Sequence, residues 1–182
     1  MQATETQHVT KDDRSAPEQG CGMKVEPQKE HQWLQKLAGE WACEGEATMA
    51  EGQPPAQWKS MEVVRPLGGV WIIAEGQGEM PGGGQSSTMM TLGYDPQKKA
   101  YVGTFVGSMM TNLWVYEGQL DASGTVLTLD TEGPGMGADG KPAKYRDIIE
   151  IKSSDQRVMT SEMLGEDGKW RPIMTANYRR TK

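Results

Sequence analysis

The sequence predicts an all-β domain: an antiparallel meander of about ten strands closed into a barrel, with one short N-terminal helix capping an end. Three observations carry this prediction. From Gly39 onward, apolar and polar residues alternate with a period of two. Strand-like runs recur at a spacing of roughly ten residues. The connectors between them are short and rich in Asp, Pro and Gly.

Residues 1–26 are rich in Gln, Thr, Glu, Asp and Lys and show no apolar periodicity. Such a segment buries too little surface to offset the entropy of ordering it, so a disordered tail is expected, followed by a single barrel domain over 27–182. Pro27 to Gly39 reads as a short helix. Pro27 suits its first turn, Trp33, Leu34 and Leu37 share one face, and Gly39 can take a left-handed cap. A helix of at most about three turns is not stable alone, so it must pack onto something, and the end of the barrel is the expected partner.

In the first strand Trp41, Cys43, Gly45, Ala47 and Met49 fall on one side, and Glu40, Glu44, Glu46 and Thr48 on the other. Further strands are expected over 56–65, 70–79, 86–94, 99–107, 112–120, 125–132, 143–152, 156–164 and 169–180. Asp95-Pro96-Gln97-Lys98, Asp121 to Gly124 and Glu166-Asp167-Gly168 supply turn chemistry between them. Connectors this short require antiparallel neighbours, and a meander this long curls and closes. Gly76, Gly78, Gly103, Gly107 and Gly118 lie inside strand runs and admit the bends of a coiled wall. A two-sheet sandwich with Greek-key crossings is the alternative. A barrel filled by its own side chains has about eight strands; ten leave room for a cavity.

Charge and residue usage exclude several classes of function. A net charge of −6 with no clustered cations argues against nucleic acid, and Arg179-Arg180-Thr181-Lys182 reads as a solvated strand end. No run of about eighteen apolar residues exists, so no membrane-spanning helix is expected. The first residues lack a secretory pattern, which makes a cytoplasmic protein the default expectation. Cys21 and Cys43 make no disulfide framework. The two histidines, His8 and His31, fall in the tail and the helix. Neither can reach the barrel interior, which removes Ser-His-Asp triads and His-based zinc sites. Cys21, His31 and Cys43 match no metal-site spacing and read as a tail thiol, a helix-surface imidazole and a small buried thiol. No metal or cofactor is expected.

Pro81 to Gly84 lacks the Lys-Ser/Thr of a phosphate loop, and Gly133 to Gly140 has no helix behind it. Both read as hairpin loops, with gating of a barrel mouth by 80–86 or 133–142 as a further role. Asp130 and Glu132 share one strand face, while Asp147 and Glu150 lie on opposite faces of another. A pair of acids could perform general acid–base work; exposed partners for Lys144 and Arg146 are the plainer reading. No catalytic residue is assigned.

Methionine is the unusual component: 13 residues, beside six Trp and a single Phe. Thioethers adapt to irregular space and indoles offer flat apolar area, which suits either core filling or a cavity for an apolar or amphipathic molecule. Trp58, Trp71, Met90, Tyr101, Phe105, Trp114, Tyr145 and Met174 are the candidate lining. Both faces of 70–75 and 99–107 are apolar, so one wall is expected to be covered outside, by the helix or by a second subunit in a homodimer.

The segment Leu37-Ala38-Gly39-Glu40-Trp41 resembles the Gly-x-Trp signature that opens lipocalin-like barrels. That resemblance implies that Trp41 closes one end behind Gly39, with an arginine of the last strand across it; Arg179 and Arg180 are the matching positions. Haem barrels of the nitrobindin type share this opening, but the axial histidine they need is missing from the expected strands. A broader resemblance rests on Leu37-x-Gly-x-Trp41, Leu67-Gly-Gly-x-Trp71, Gly78-Glu-Met-Pro81-Gly-Gly, Leu92-Gly-Tyr-Asp-Pro96, Leu113-Trp114-x-Tyr-Glu-Gly118, Tyr145-Arg-Asp147 and Ser161-Glu-Met163. In order, these are similar to the bacterial family DUF1579. The resemblance implies a lipocalin-like barrel and brings no activity with it. The expected function is non-enzymatic binding of a small apolar or amphipathic ligand. The alternatives are an assembly module with a filled barrel, and a barrel enzyme using cavity carboxylates.

Overall fold

A computed structural model of the chain describes residues 25–48, 54–80, 83–136 and 141–182. The tail expected over 1–26 therefore lies outside the described residues up to residue 24, as do Met49 and parts of both glycine-rich loops. No helix among the described residues is long and apolar enough to cross a membrane.

Helix α1 (Lys29–Gln35) is two turns long, shorter than the stretch from Pro27 to Gly39 that the apolar spacing suggests. Its end tightens into i→i−3 bonds: the N–H groups of Lys36, Leu37 and Ala38 donate to the carbonyls of Trp33, Leu34 and Gln35 at 3.1, 3.0 and 3.2 Å. Gly39 is thus no helix cap. It opens the first strand at φ 138°, and a Cβ there would overlap the Arg180 guanidinium and approach the Lys182 carbonyl to 2.8 Å.

Ten strands follow: β1 (Gly39–Ala47), β2 (Ala56–Leu67), β3 (Trp71–Glu79), β4 (Gln85–Asp95), β5 (Ala100–Gly107), β6 (Trp114–Leu120), β7 (Val126–Pro134), β8 (Pro142–Ser153), β9 (Gln156–Leu164) and β10 (Trp170–Arg180). Each pairs antiparallel with the next, and β1 pairs with β10, with Trp41 opposite Arg180. The first strand meeting the last makes a closed barrel and removes the sandwich alternative. Closure leaves no free edge, which antiparallel sheets otherwise have to protect.

The core gathers at one end. Trp33, Leu34 and Leu37 meet Trp41, Ile72, Leu92, Tyr101, Leu127 and Ile149 there, all buried. Trp33 Nε1 donates to the Gly124 carbonyl at 2.8 Å, tying α1 to the β6–β7 turn. Trp41 Nε1 donates to the Leu37 carbonyl at 2.9 Å, and the Arg180 guanidinium lies 4.1 Å over the indole. Arg180 also donates to the carbonyls of Ala38 and Lys36, so it holds the chain between helix and strand. Of the two arginine candidates, Arg180 makes the closure; Arg179 alternates to the outer face and is exposed. Arg180→Ala is expected to cost about 1–2 kcal/mol and Arg179→Ala under about 0.5, measured by urea unfolding.

His31 is likewise not on the helix surface. It is buried, with Nδ1 accepting from the Gln28 N–H at 2.9 Å and Nε2 3.2 Å from the Tyr94 carbonyl. The short helix points this face into the barrel end, where the imidazole meets an N–H that α1 leaves open and a carbonyl of β4.

Trp71, expected in the cavity lining, stands on the outer wall, 37% exposed, with its ring covering Gly93. Its neighbour Ile72 points inward, and the period of two sends Trp71 the other way. The outer face of β2–β6 carries further exposed apolar residues: Met61, Val63, Met89, Val106 and Val115. Helix α1 covers the barrel end and leaves this wall bare.

Candidate ligand-binding lumen

The register places Trp58, Met90, Phe105, Trp114, Tyr145 and Met174 on inward-facing positions, with Met159, Ser161 and Met163 beside them. Met90 and Tyr145 are buried; the others keep partial accessibility although they point into the barrel. These partly accessible inward side chains gather in the half of the barrel away from α1. Tyr101 also faces inward, but at the closed end. There it packs on Trp33 and Tyr94 at 5.6 and 5.2 Å and belongs to the plug.

Two indoles fold over glycines in this half, Trp58 across Gly45 and Trp114 across Gly133. A side chain at either glycine would occupy the space of the ring, which is the aromatic cover that bent strands use. Trp114 meets Tyr145 edge-on at 5.0 Å, and its Nε1 donates to the Met110 sulfur at 3.0 Å. Tyr145 is fixed by its hydroxyl, which donates to the Pro134 carbonyl at 2.7 Å. A groove of about 1170 Å³ follows the rim of β1–β3, where the β2–β3 ladder ends at Ser60 and Gly78, and inward-facing Gly45 and Trp58 are part of its lining.

The floor is polar. Asp147, 7% exposed, accepts from Tyr116 Oη and from Ser161 Oγ, each at 2.5 Å. Burial pushes the Asp147 carboxyl above its ordinary pKa, and the hydroxyls of Ser161 and Tyr116 offset part of that rise. The Tyr116 hydroxyl is pushed well up by its own burial and by the neighbouring acid. This cluster can hold a polar group of a ligand and exchange a proton with it. It has no histidine and no second free carboxyl beside it. Asp130, Glu132 and Glu150 all face outward, and Glu62, the other inward acid, is paired with Arg157. Among the described residues no three His, Cys, Asp or Glu side chains gather as metal ligands.

Below the floor, Arg157 lies between Trp41 and Tyr178, 4.7 and 4.1 Å from the rings. The Cys43 thiol, raised by burial, and the Tyr178 hydroxyl, raised well above its usual value by the same cause, flank this pair. Sequence reasoning missed Tyr116, Ser161, Glu62 and Arg157, and named Asp147 only as one of two acids on opposite faces of its strand. A signal existed for Asp147: it alternates with Tyr145, Ile149 and Ile151, whereas Lys144, Arg146, Glu150 and Lys152 occupy the other face.

A carboxyl whose pKa is raised on folding favours the protonated folded state. Its contribution is fully present below the unfolded pKa and is lost as pH rises through the folded one. Asp147→Asn is therefore expected to flatten the decline in stability over that rise. Urea midpoints taken across the acidic-to-neutral range test this; an unchanged pH profile would contradict it.

The model of the protein family of unknown function DUF1579 matches residues 26–180. The chain belongs to the DUF1579 family. No functionally curated protein matches it. Among solved structures, this DUF1579 member is similar to Rv2717c from M. tuberculosis at 15% identity and a TM-score of 0.58, covering 86% of this chain and 100% of that one. It is also similar to the S-type phycobiliprotein lyase CPES from Guillardia theta at 15% identity and a TM-score of 0.54, covering 86% and 99%. At such identities these likenesses are of fold alone.

Proposed function

We propose that the barrel binds a small, mainly apolar molecule carrying one hydrogen-bonding group, and does so without catalysing a reaction. The observation that supports this is the division of the interior. One half is sealed by α1 and Trp41, while inward-facing Trp58, Phe105, Trp114, Met159, Met163 and Met174 stay partly accessible in the other. Between the halves sits the Asp147 cluster, a small number of polar groups converging at the base of an apolar space. Apolar burial against the thioethers and indoles supplies affinity, and Asp147 with Tyr116 and Ser161 supplies orientation.

Native mass spectrometry of protein purified without denaturation tests this reading. Added mass is expected on the wild type and not on Met174→Trp, whose indole would fill the lumen. Bare chain mass for both would contradict it.

A second reading has its own observation. The exposed row of Val63, Met89 and Val106 on the outer β2–β4–β5 wall would suit a second copy of this chain, making a homodimer. Sedimentation at micromolar concentration distinguishes the two: a dimer with a ligand-free interior would favour assembly.

A further inference from the structure

The wall of the barrel parts between β6 and β7. β6 pairs with β7 only between Glu117–Leu120 and Leu127–Asp130. Beyond that ladder both strands run on, β6 back to Trp114 and β7 forward to Pro134, without bonding to each other. Each keeps its other neighbour over the same stretch: β6 pairs with β5 as far as Trp114, and β7 with β8 as far as Pro134. The parting is thus a seam inside the wall and not a frayed end. Splayed antiparallel strands leave backbone groups facing each other unbonded, a cost that folded walls seldom carry without cause.

The seam holds a pocket of about 650 Å³. Most of its lining faces outward, with Val115, Asp130, Glu132 and Lys144 on the outer wall, and the inward-facing Thr131 and Tyr145 border it at the seam. Thr131 is 8% exposed, and its hydroxyl has no hydrogen-bond partner among the described residues. Buried polar atoms are nearly always satisfied, so the orphaned Thr131 hydroxyl at this gap points to a partner that comes and goes. Over the inner side lies the Trp114 indole, resting on Gly133 and Tyr145, its own N–H held by a thioether, which is a weak acceptor.

We propose that the lumen is loaded sideways through this seam, with the Trp114 indole as its shutter and the Thr131 hydroxyl as the polar contact offered to a small amphipathic molecule on its way in. This rests on the ligand-binding reading, and the two can fail separately. Continuing the β6–β7 register sets Val115 opposite Glu132, both outward, so a V115C/E132C pair joined by a short bismaleimide closes the seam without occupying the lumen. The background carries C21S and C43S, and an I148C/T160C bridge across the fully paired β8–β9 wall is the control.

Two readouts are taken. Amide hydrogen exchange reads the seam without any ligand: the amides of 114–116 and 131–133 that point into the seam should exchange far faster than those of 88–92, and the seam bridge should slow them. Stopped-flow uptake of 1-aminoanthracene reads loading: the seam bridge should slow association by about tenfold or more while the control bridge leaves it unchanged. Seam amides as protected as the paired wall would overturn the proposal. So would unaltered uptake in the bridged protein, which would make the open end the door. Rapid seam exchange with no uptake by any form would overturn the ligand-binding reading and, with it, the role given to the seam.

Discussion

Trp41→Ala is expected to lower the free energy of unfolding by about 3–5 kcal/mol. The indole is 1% exposed and fills the closed end beneath α1. Its removal leaves a void that Leu37 and Ile72 cannot collapse into, because both are anchored in different elements. Two guanidinium groups also lose their aromatic face, Arg180 at 4.1 Å and Arg157 at 4.7 Å, and the Leu37 carbonyl loses its donor. Against a typical total of about 5–15 kcal/mol, this leaves the variant at the margin of folding. Trp71→Ala is the contrast. That indole lies on the outer wall, and its loss should cost about 1 kcal/mol. Urea unfolding followed by circular dichroism measures both. Equal losses for the two would contradict the placement of Trp41 as the plug.

Glu62→Gln is expected to cost about 3–5 kcal/mol, for a different reason. Arg157 is 5% exposed, its Nε has no hydrogen-bond partner among the described residues, and Glu62 is its ion-pair partner. A guanidinium cannot discharge by losing its proton, so removing the carboxylate strands a full charge inside the barrel. Replacing both partners, as in E62Q/R157M, should recover much of the loss, because the stranded charge goes with the pair. A double-mutant cycle reads this coupling directly. Additive losses would contradict it. The position of the pair gives the coupling a structural meaning, since Arg157 also packs on Trp41 and Tyr178 and so joins lumen floor to plug.

The strands were legible because each has one wet face, and a period of two survives any barrel curvature. Where that contrast fades, side-chain direction fades with it. Trp71 follows a turn and precedes Ile72 and Ile73, so nothing in the local pattern says which face is inner. Arg180 could be separated from Arg179 by parity, since it shares a face with Ala176 and Tyr178. Asp147 was separable in the same way, but an acid on an apolar face runs against the ordinary expectation for burial. Its two hydroxyl partners come from β6 and β9, 31 and 14 residues away, and only register brings them together. The β6–β7 seam left no trace in the sequence. At that end β6 reads Trp114-Val115-Tyr116, apolar on both faces, and the parting appears only in which strand bonds to which. Helix α1 was shorter than its apolar spacing because the final turn serves the junction with β1, where Arg180 takes its last carbonyls.

The claim that the barrel holds a lumen for a small molecule is tested most directly by titrating wild-type protein and Met174→Trp with 1-aminoanthracene. Saturable fluorescence enhancement at one probe per chain is expected for the wild type, with the response lost in the filled variant at unchanged thermal stability. Identical responses in the two proteins, or no saturable response in the wild type, would contradict a binding lumen.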